Sequence, residues 1–337
     1  MDPDITVITT VYNCENYIEE SVRSITEQTF ENFEYIIVDD GSTDNTFPVI
    51  SKLASKDKRI IILRNENNIG RVRSLNISLK RAVGKYIAIQ DADDISLPER
   101  LTKQYSFLNN NPEYVLVGAD VTVINEEGNE ISHPERPEKD QDAKFSLLFR
   151  CTFANPSIMF RKEIIDKYRI RYDENFLHAE DFRVISLISR HGKVFNMREK
   201  LVKYRKHESN NSTVNFKTLN HRSSLISADN LLELGFAISE EQIKRMRNMI
   251  SSRGIDKNFL LNDVRLIFSI IKKFQIKNEN KSNDEILKTL KRMTKWLGKK
   301  NVFTKPHYFK LQISILNYYY KQVKLNKQNP LNRQFQD

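Results

Sequence analysis

Four short apolar runs, at residues 5–10, 34–38, 60–63 and 86–89, are separated by segments whose apolar residues recur at helical spacing. The runs are rich in Ile, Val and Thr and short enough to be strands buried on both faces. In the first intervening segment Ile18, Val22 and Ile25 share one face, Glu15, Glu19 and Glu20 take the opposite one, and Asn13 is the expected cap. Further helices are predicted over 44–55, 70–81 and 98–109. Strand and helix in alternation imply parallel strands with crossover helices on both faces, so the expected class is α/β. In such a sheet ligands dock beyond the carboxyl ends of the strands.

Those ends are where the acids stand. "VDDGSTDNT" sets Asp39 and Asp40 directly after the second run, then Gly41 for a tight or left-handed turn and Ser42 or Thr43 to cap the next helix. A carboxylate at that edge disfavours phosphate and suits the N–H of a base or ribose hydroxyls, although a plain strand-to-helix turn uses the same residue types. "IAIQDADDIS" places Asp91, Asp93 and Asp94 just beyond the fourth run. Three like charges so close need a cation or full solvation. Hard oxygen ligands suit Mg²⁺ or Mn²⁺ bridged to a diphosphate, and a two-residue spacing on extended chain points Asp91 and Asp93 the same way. Acids at a helix N-terminus are the structural alternative.

Beyond residue 111 the pattern changes to short strands at 115–118, 121–125 and 130–132, the last two joined across "EEGN", and another at 157–160. A short helix follows, then a helix from Glu180 to Gly192 and a short strand before His207. From Asn215 strands vanish, and helices are predicted over 219–234, 240–251, 257–274, 283–297 and 307–320, with polar breaks at 252–256 and 277–283 and a frayed end at 326–337. This last third holds 24 Lys/Arg against 10 Asp/Glu, a net +14, while the rest of the chain is at −4. With 29% charged and 39% apolar residues among 337, wholesale disorder is excluded and two domains, or one with an appendage, are expected. The N-terminus lacks a basic signal region and no run approaches the roughly 18 apolar residues of a membrane span, so a cytoplasmic protein is expected. Cys14 and Cys151 have no metal-ligand spacing and are expected to be buried thiols.

"VITTVYNCENYIEESVRSITEQT", "YIIVDDGSTD", "NNIGRVRSLNISLKRAVGKYIAIQDADD" and "EDF" together resemble the inverting family-2 glycosyltransferases with a GT-A fold, over residues 5–212 in consistent order. The resemblance implies a Rossmann-like, mostly parallel central sheet flanked by helices, with an additional helical C-terminal region. It divides the chain into a catalytic domain over 1–214, a basic helical region over 215–325 and the tail; nucleotide-sugar binding falls to about 1–110 and acceptor binding to about 111–214. Carried over by position, it implies that Thr10, Tyr12 and Asn13 frame the nucleotide base, and that Asp40 contacts it with support from Asp39. Arg71 and Asn76 match the family's nucleotide-side helix, although Leu75 stands before Asn76 and the basic residues are Arg71 and Arg73. Asp91 is then expected on the donor ribose, Asp93 on Mn²⁺ or Mg²⁺ with His207 completing the shell, and Arg205 or Lys206 on phosphate. Asp181 is the expected general base beside Glu180, with His178 and Asn155 on the acceptor side.

The implied activity is metal-assisted hexosyl transfer from a nucleoside-diphosphate sugar, UDP-sugar favoured, to an acceptor hydroxyl with inversion, in bacterial-type polysaccharide, lipopolysaccharide or glycoconjugate synthesis. A sugar-phosphate nucleotidyltransferase would need a glycine- and lysine-bearing loop after the first strand, and "TTVYNCENY" has neither. A non-catalytic nucleotide-sugar-binding module would have no use for both Asp93 and Asp181. In the basic tail Lys272, Lys273, Lys277, Lys281, Lys288, Lys291, Arg292, Lys295, Lys299 and Lys300 alternate with Ile270, Ile271, Phe274, Leu287, Trp296 and Leu297, a pattern suited to an anionic membrane surface at its inner face and a glycan or lipid-linked acceptor. Packing on the catalytic domain or on a second copy in a homo-oligomer is the other use, and "LQISILNYYY" needs a partner surface. No zinc, homeodomain or RNP motif supports nucleic-acid binding.

Overall fold

The computed structural model describes residues 2–207, 215–250, 260–279, 283–299 and 306–328. Two compact units emerge: Met1–Glu138 with Cys151–Arg222, and Lys139–Arg150 with Ser223–Asp337.

The first unit contains β1 (Ile5–Val11), α1 (Ile18–Thr26), β2 (Phe33–Asp39), α2 (Thr46–Ala54), β3 (Ile60–Arg64), α3 (Arg71–Arg81), β4 (Tyr86–Ile89), β5 (Ile95–Ser96) and α4 (Arg100–Asn110). There follow β6 (Tyr114–Ile124), β7 (Glu130–Ser132), β8 (Met159–Arg161), α6 (Lys162–Lys167), α7 (Glu180–Ser189) and β9 (Lys193–Arg205), α5 (Asp140–Leu147) belonging to the second unit. The nine strands among the described residues form one sheet in the order β3-β2-β1-β4-β8-β6-β9-β5, with β7 paired to β6. β3, β2, β1 and β4 are parallel, as the alternation predicts. β8 then enters antiparallel to both β4 and β6, β9 runs parallel to β6, and β5 returns antiparallel to β9.

Every residue of β1 and β2 is buried, which is why β1 reads as an unbroken β-branched run and β2 as a mostly apolar one. Even Glu34 is inside, accepting from the Thr6 hydroxyl at 2.6 Å and the Val83 N–H at 2.8 Å. Gly84 follows because a Cβ there would fall 2.5 Å from the Thr6 nitrogen.

Several expectations are corrected. The strands foreseen at 115–118 and 121–125 are one, β6, whose pairing with β9 shifts register on both sides of Asp120. β9 is 13 residues long, and its exposed Arg198, Glu199 and Lys200 hide the strand pattern in the sequence. Residues Asn155–Ser157 form a 3-10 turn, so β8 starts at Met159 rather than at 157. Neither α1 nor α2 has a side-chain cap, because Asn13 and Ser42 bond to each other's loops instead.

Arg100 is fully buried at the N-terminus of α4 and gives all five N–H groups to neutral acceptors. Nε donates to Gln104 Oε1, Nη1 to Gln90 Oε1 and Ser96 Oγ, and Nη2 to the Ile89 and Ile158 carbonyls, at 2.8–3.3 Å. Burial pulls its pKa down to about 10, against the opposing charges of Asp91 and Asp94, so it stays protonated at neutral pH. The guanidinium therefore ties β4, β5, α4 and the approach to β8 together.

The second unit holds α5, the part of α8 (Phe216–Glu233) from Ser223 on, α9 (Glu240–Ile250), α10 (Leu261–Lys277), α11 (Asp284–Lys299) and α12 (Pro306–Gln328). Its core gathers Phe145, Phe149, Leu231, Met246, Ile267 and Leu290, and a buried Arg245–Asp263 pair at 2.8 Å links α9 to α10. Ile270, Ile271, Phe274, Trp296 and Leu297 are buried in this core, which corrects the expected apolar membrane face. Ile315 is buried with them, and Leu311, Tyr318 and Tyr319 pack against the cluster, so the apolar stretch finds its partner surface inside the unit. Lys272, Lys273, Lys277, Lys288, Lys291 and Lys295 remain on the outside. The side chains of Lys281, Lys299 and Lys300, the break at 252–256 and residues 329–337 of the expected frayed end lie outside the described residues, whereas α12 continues to Gln328. Among the described residues no helix is long and apolar enough to cross a membrane.

Arg100→Met strands three side-chain acceptors and two carbonyls in the interior. A loss of about 3–5 kcal/mol in urea unfolding is expected.

Candidate functional site

The loops after β1 and β2 are cross-linked by reciprocal side chain to backbone bonds. Asn13 N–H donates to Ser42 Oγ and Thr43 N–H to Asn13 Oδ1, while Cys14 N–H donates to Thr46 Oγ1 and Glu15 N–H to Asp44 Oδ2. Most polar groups of "GSTDNT" thus hold the neighbouring loop rather than face a ligand. Gly41 takes the left-handed conformation expected (φ +76°), and a Cβ there would meet the Asn67 carbonyl carbon at 2.7 Å. Asp39 ends β2 fully buried, accepting from Ser42 N–H at 3.1 Å and pairing with Arg64 at 3.1 Å. Asp40 accepts from Asn65 Nδ2 and Ile69 N–H on Oδ1 and from Gly70 N–H on Oδ2, fixing the lead into α3.

After β4 the chain turns instead of staying extended, with Asp94 N–H bonded to the Asp91 carbonyl, so the three acids diverge. Gln90 pins this turn: its buried amide donates to the Asp91 and Asp94 carbonyls and to Ser21 Oγ, and accepts from Ser96 and Arg100. Asp91 takes Arg71 Nη2 at 2.6 Å and Asn155 Nδ2 at 3.0 Å. Asp94 is fully buried against the Arg205 N–H at 2.6 Å, and burial with the charges of Asp93 and Asp91 holds its pKa well above the usual carboxylate range. Asp93 Oδ2 meets His207 Nε2 at 2.9 Å. The Arg205 guanidinium is engaged by Glu20 and by the carbonyls of Asp93, Asn125 and Glu126.

Arg71, the first residue of α3, joins Asp91 to Glu180, whose Oε1 is 3.3 Å from Nε. Beside Glu180, Asp181 has its carboxyl pushed up to about 7, chiefly by burial and then by the Glu180 charge, against the Phe182 N–H and Arg71. Asn76 gives both amide atoms to the Tyr172 backbone, at 2.8 and 3.0 Å, which holds the Tyr172 ring among Arg71, Asp181 and Glu180.

A cleft of about 880 Å³ opens over these groups. Of the residues singled out in the sequence, Thr10, Tyr12, Asn13, Asp40, Arg71, Asp93, His178, Glu180 and His207 line it. Asp39, Asn76, Asp91, Asn155 and Asp181 do not; Asp91 and Asn155 bond to each other, and Asp181 stands next to the lining residue Glu180. Asn13 and His178 have positive φ, 50° and 71°, so two non-glycine residues at the cleft carry backbone strain. Cys14 also lines the cleft and is half-buried rather than buried, as is Cys151; its thiol is pushed up to about 12 by burial and is unreactive at neutral pH. Sequence reasoning missed Gln90, Tyr17 and Tyr172, of which only Gln90 left a signal, a lone amide closing a buried strand.

The facing Asp93 carboxylate and His207 imidazole are a donor set that Mn²⁺ accepts, and Mg²⁺ less readily. Among the described residues no cluster of three or more His, Cys, Asp or Glu can hold a metal ion. An ion held by this pair would take its remaining ligands from outside the protein, such as phosphates and water.

A family model described as glycosyl transferase family 2 matches residues 6–169. An uncharacterized glycosyltransferase of Haemophilus influenzae is 31% identical over 323 residues, spanning 94% of this chain and 93% of that protein. Residues 1–349 of S. aureus TarS in complex with UDP-GlcNAc superpose with a TM-score of 0.58 at 17% identity, covering 96% of this chain and 92% of that one. The mannosyltransferase PcManGT from Pyrobaculum calidifontis, in complex with GDP-Man and Mn²⁺, gives 0.52 at 15% identity over 98% and 88%. At such identities both structures speak for the fold alone.

Because the folded state binds the Asp181 proton more tightly than the unfolded chain does, ionising this group lowers stability as pH rises from about 4 to about 7. Asp181→Asn is expected to raise Tm at pH 8 and to change it little at pH 4, as measured by calorimetry.

Proposed function

The chain belongs to glycosyl transferase family 2 and has its GT-A fold, and on that premise we propose that it transfers a hexosyl group, with inversion, from a UDP-sugar to an acceptor hydroxyl. The observation that carries the mechanism is the position of Asp181 directly beside the cleft-lining Glu180, which Arg71 joins to Asp91, and burial there pushes the Asp181 carboxyl up to about 7. A base whose pKa lies near the working pH is suited to taking a hydroxyl proton. Relatives in fold that bind UDP-GlcNAc, or GDP-Man with Mn²⁺, support the donor class.

On this reading the half-exposed Tyr12 ring, with Thr10 and Asn13, receives the base, and Asp40 Oδ2 accepts its imide N–H beside the Gly70 N–H. Asp91, oriented by Arg71 and Asn155, receives a ribose hydroxyl. Asp93 and His207 would hold Mn²⁺ or Mg²⁺, which when bound neutralises charge on the departing diphosphate. Asp181 removes the acceptor proton as the oxygen attacks the anomeric carbon, and UDP leaves from the opposite face. One base suffices, unlike the paired carboxylates of retaining hydrolysis. The neighbouring Glu180 charge adds to burial in raising the proton affinity of Asp181. His178 faces the acceptor from the cleft wall.

The acceptor we assign is a glycan or lipid-linked sugar of polysaccharide synthesis at the cytoplasmic face of a membrane. The support is the run of outward lysines on α10 and α11, which offer charge without an inserted apolar face.

A panel of nucleotide sugars with Mn²⁺ or Mg²⁺, read as nucleoside-diphosphate release, should give turnover with a UDP-sugar. Asp181→Asn should lower kcat by about 10²–10⁴-fold, and kcat/KM of the unaltered enzyme should fall below pH 7 as Asp181 takes up its proton. Undiminished release by Asp181→Asn would overturn the assignment. Vesicles of anionic lipid should bind the protein at low salt and release it as ionic strength rises, whereas phosphatidylcholine vesicles should not bind it.

A further inference from the structure

His207 lies two residues past the end of β9, so strand pairing does not orient its ring. Two neighbours do. The Tyr17 ring stacks on the His207 imidazole, with centroids 5.3 Å apart and planes inclined by 27°. The Arg205 guanidinium carbon lies 4.9 Å from the centroid of the same tyrosine ring. Both contacts have rigid supports. Tyr17 sits where the chain enters α1, with its N–H and that of Ile18 on the Cys14 carbonyl at 3.1 and 3.0 Å. Arg205, its side chain 4% exposed, bonds to Glu20 Oε2 at 2.6 Å, to the Glu126 carbonyl at 2.8 Å and to the Asp93 carbonyl at 3.0 Å. The arginine thus fixes the main chain of the acid that His207 faces, and the tyrosine fixes the ring of His207.

We propose that Tyr17 and Arg205 are positioning residues that aim the His207 imidazole at Asp93 and thereby set the affinity of this pair for a divalent cation. The affinity claim rests on reading Asp93 and His207 as the metal-holding pair; the aiming claim does not. An imidazole free to turn about its side-chain bonds must be ordered when the ion binds, and that ordering weakens binding. One already stacked and facing its partner carboxylate loses less freedom. The tyrosine acts through its ring face, so the phenolic oxygen is dispensable.

The test measures Mn²⁺ binding by calorimetry in the presence of UDP, together with the imidazole ¹⁵N resonances of His207 without metal, in the full-length protein and in Tyr17→Phe and Tyr17→Ala. Tyr17→Phe should match the unaltered protein in both. Tyr17→Ala should bind Mn²⁺ about 10-fold more weakly and move the His207 resonances toward those of a solvated imidazole. Arg205→Lys, which keeps the charge but loses the planar fork, should move them in the same direction. Unchanged affinity and unchanged resonances in Tyr17→Ala would overturn the proposal. Failure of the unaltered protein to bind Mn²⁺ with UDP would overturn the metal-holding pair, and the His207 resonances would still decide the aiming role.

Discussion

The site depends on how the protein accommodates three carboxylates within four residues at the end of a buried strand. A single cation does not serve all three. Gln90 folds the segment into a turn and sends the side chains apart, and each meets a different environment. Asp91 is neutralised by Arg71, Asp94 is buried with its proton affinity raised, and Asp93 is left on the cleft facing His207. Repulsion that would open the turn is thereby converted into a division of labour.

Arg71 carries the next step of the same logic. At the start of α3 it has one carboxylate on either side, Asp91 from the turn after β4 and Glu180 from α7, so the carboxyl edge of the sheet and the start of α7 share one cation. Five residues later Asn76 clasps the Tyr172 backbone, so one helix holds both the turn that carries Asp91 and the segment that leads to α7. Arg71 has two neighbours to satisfy, and Asp181 benefits little from it; burial and Glu180 prevail and its proton affinity rises. A carboxyl held where its charge is disfavoured, and residues such as His178 held at positive φ, are local violations of stability that a functional site tolerates because the surrounding sheet is over-determined.

Much of this was legible in the chain. Burial on both faces produces apolar runs, which is why β1, β2 and β4 and their parallel direction could be read directly; of Asp40, Asp93 and Asp181, expected at one rim, Asp40 and Asp93 line the cleft and Asp181 stands next to the lining residue Glu180. The antiparallel half was less legible. β9 carries Arg198, Glu199 and Lys200 in its middle because that stretch faces solvent, and β6 is interrupted in sequence by Asp120, which the fold satisfies with the distant Arg136 N–H. The basic C-terminal helices show the same division. Their periodicity revealed amphipathic faces but not what covers them, and the apolar faces turned out to cover one another.

The sequence by itself determined the parallel strands of the first half, the placement of acids at their carboxyl ends and the family resemblance, because all three are written in local periodicity and short motifs; the order of the strands in the sheet came from the fold. Only the tertiary structure decided which acid receives which partner. Asp94 and Asp93 are held by Arg205 across more than a hundred residues, Asp91 by Asn155 across 64, and Asn76 by Tyr172 across 96. Such bonds form when the fold brings loops, turns and helices distant in sequence together, and no local pattern of residues encodes them.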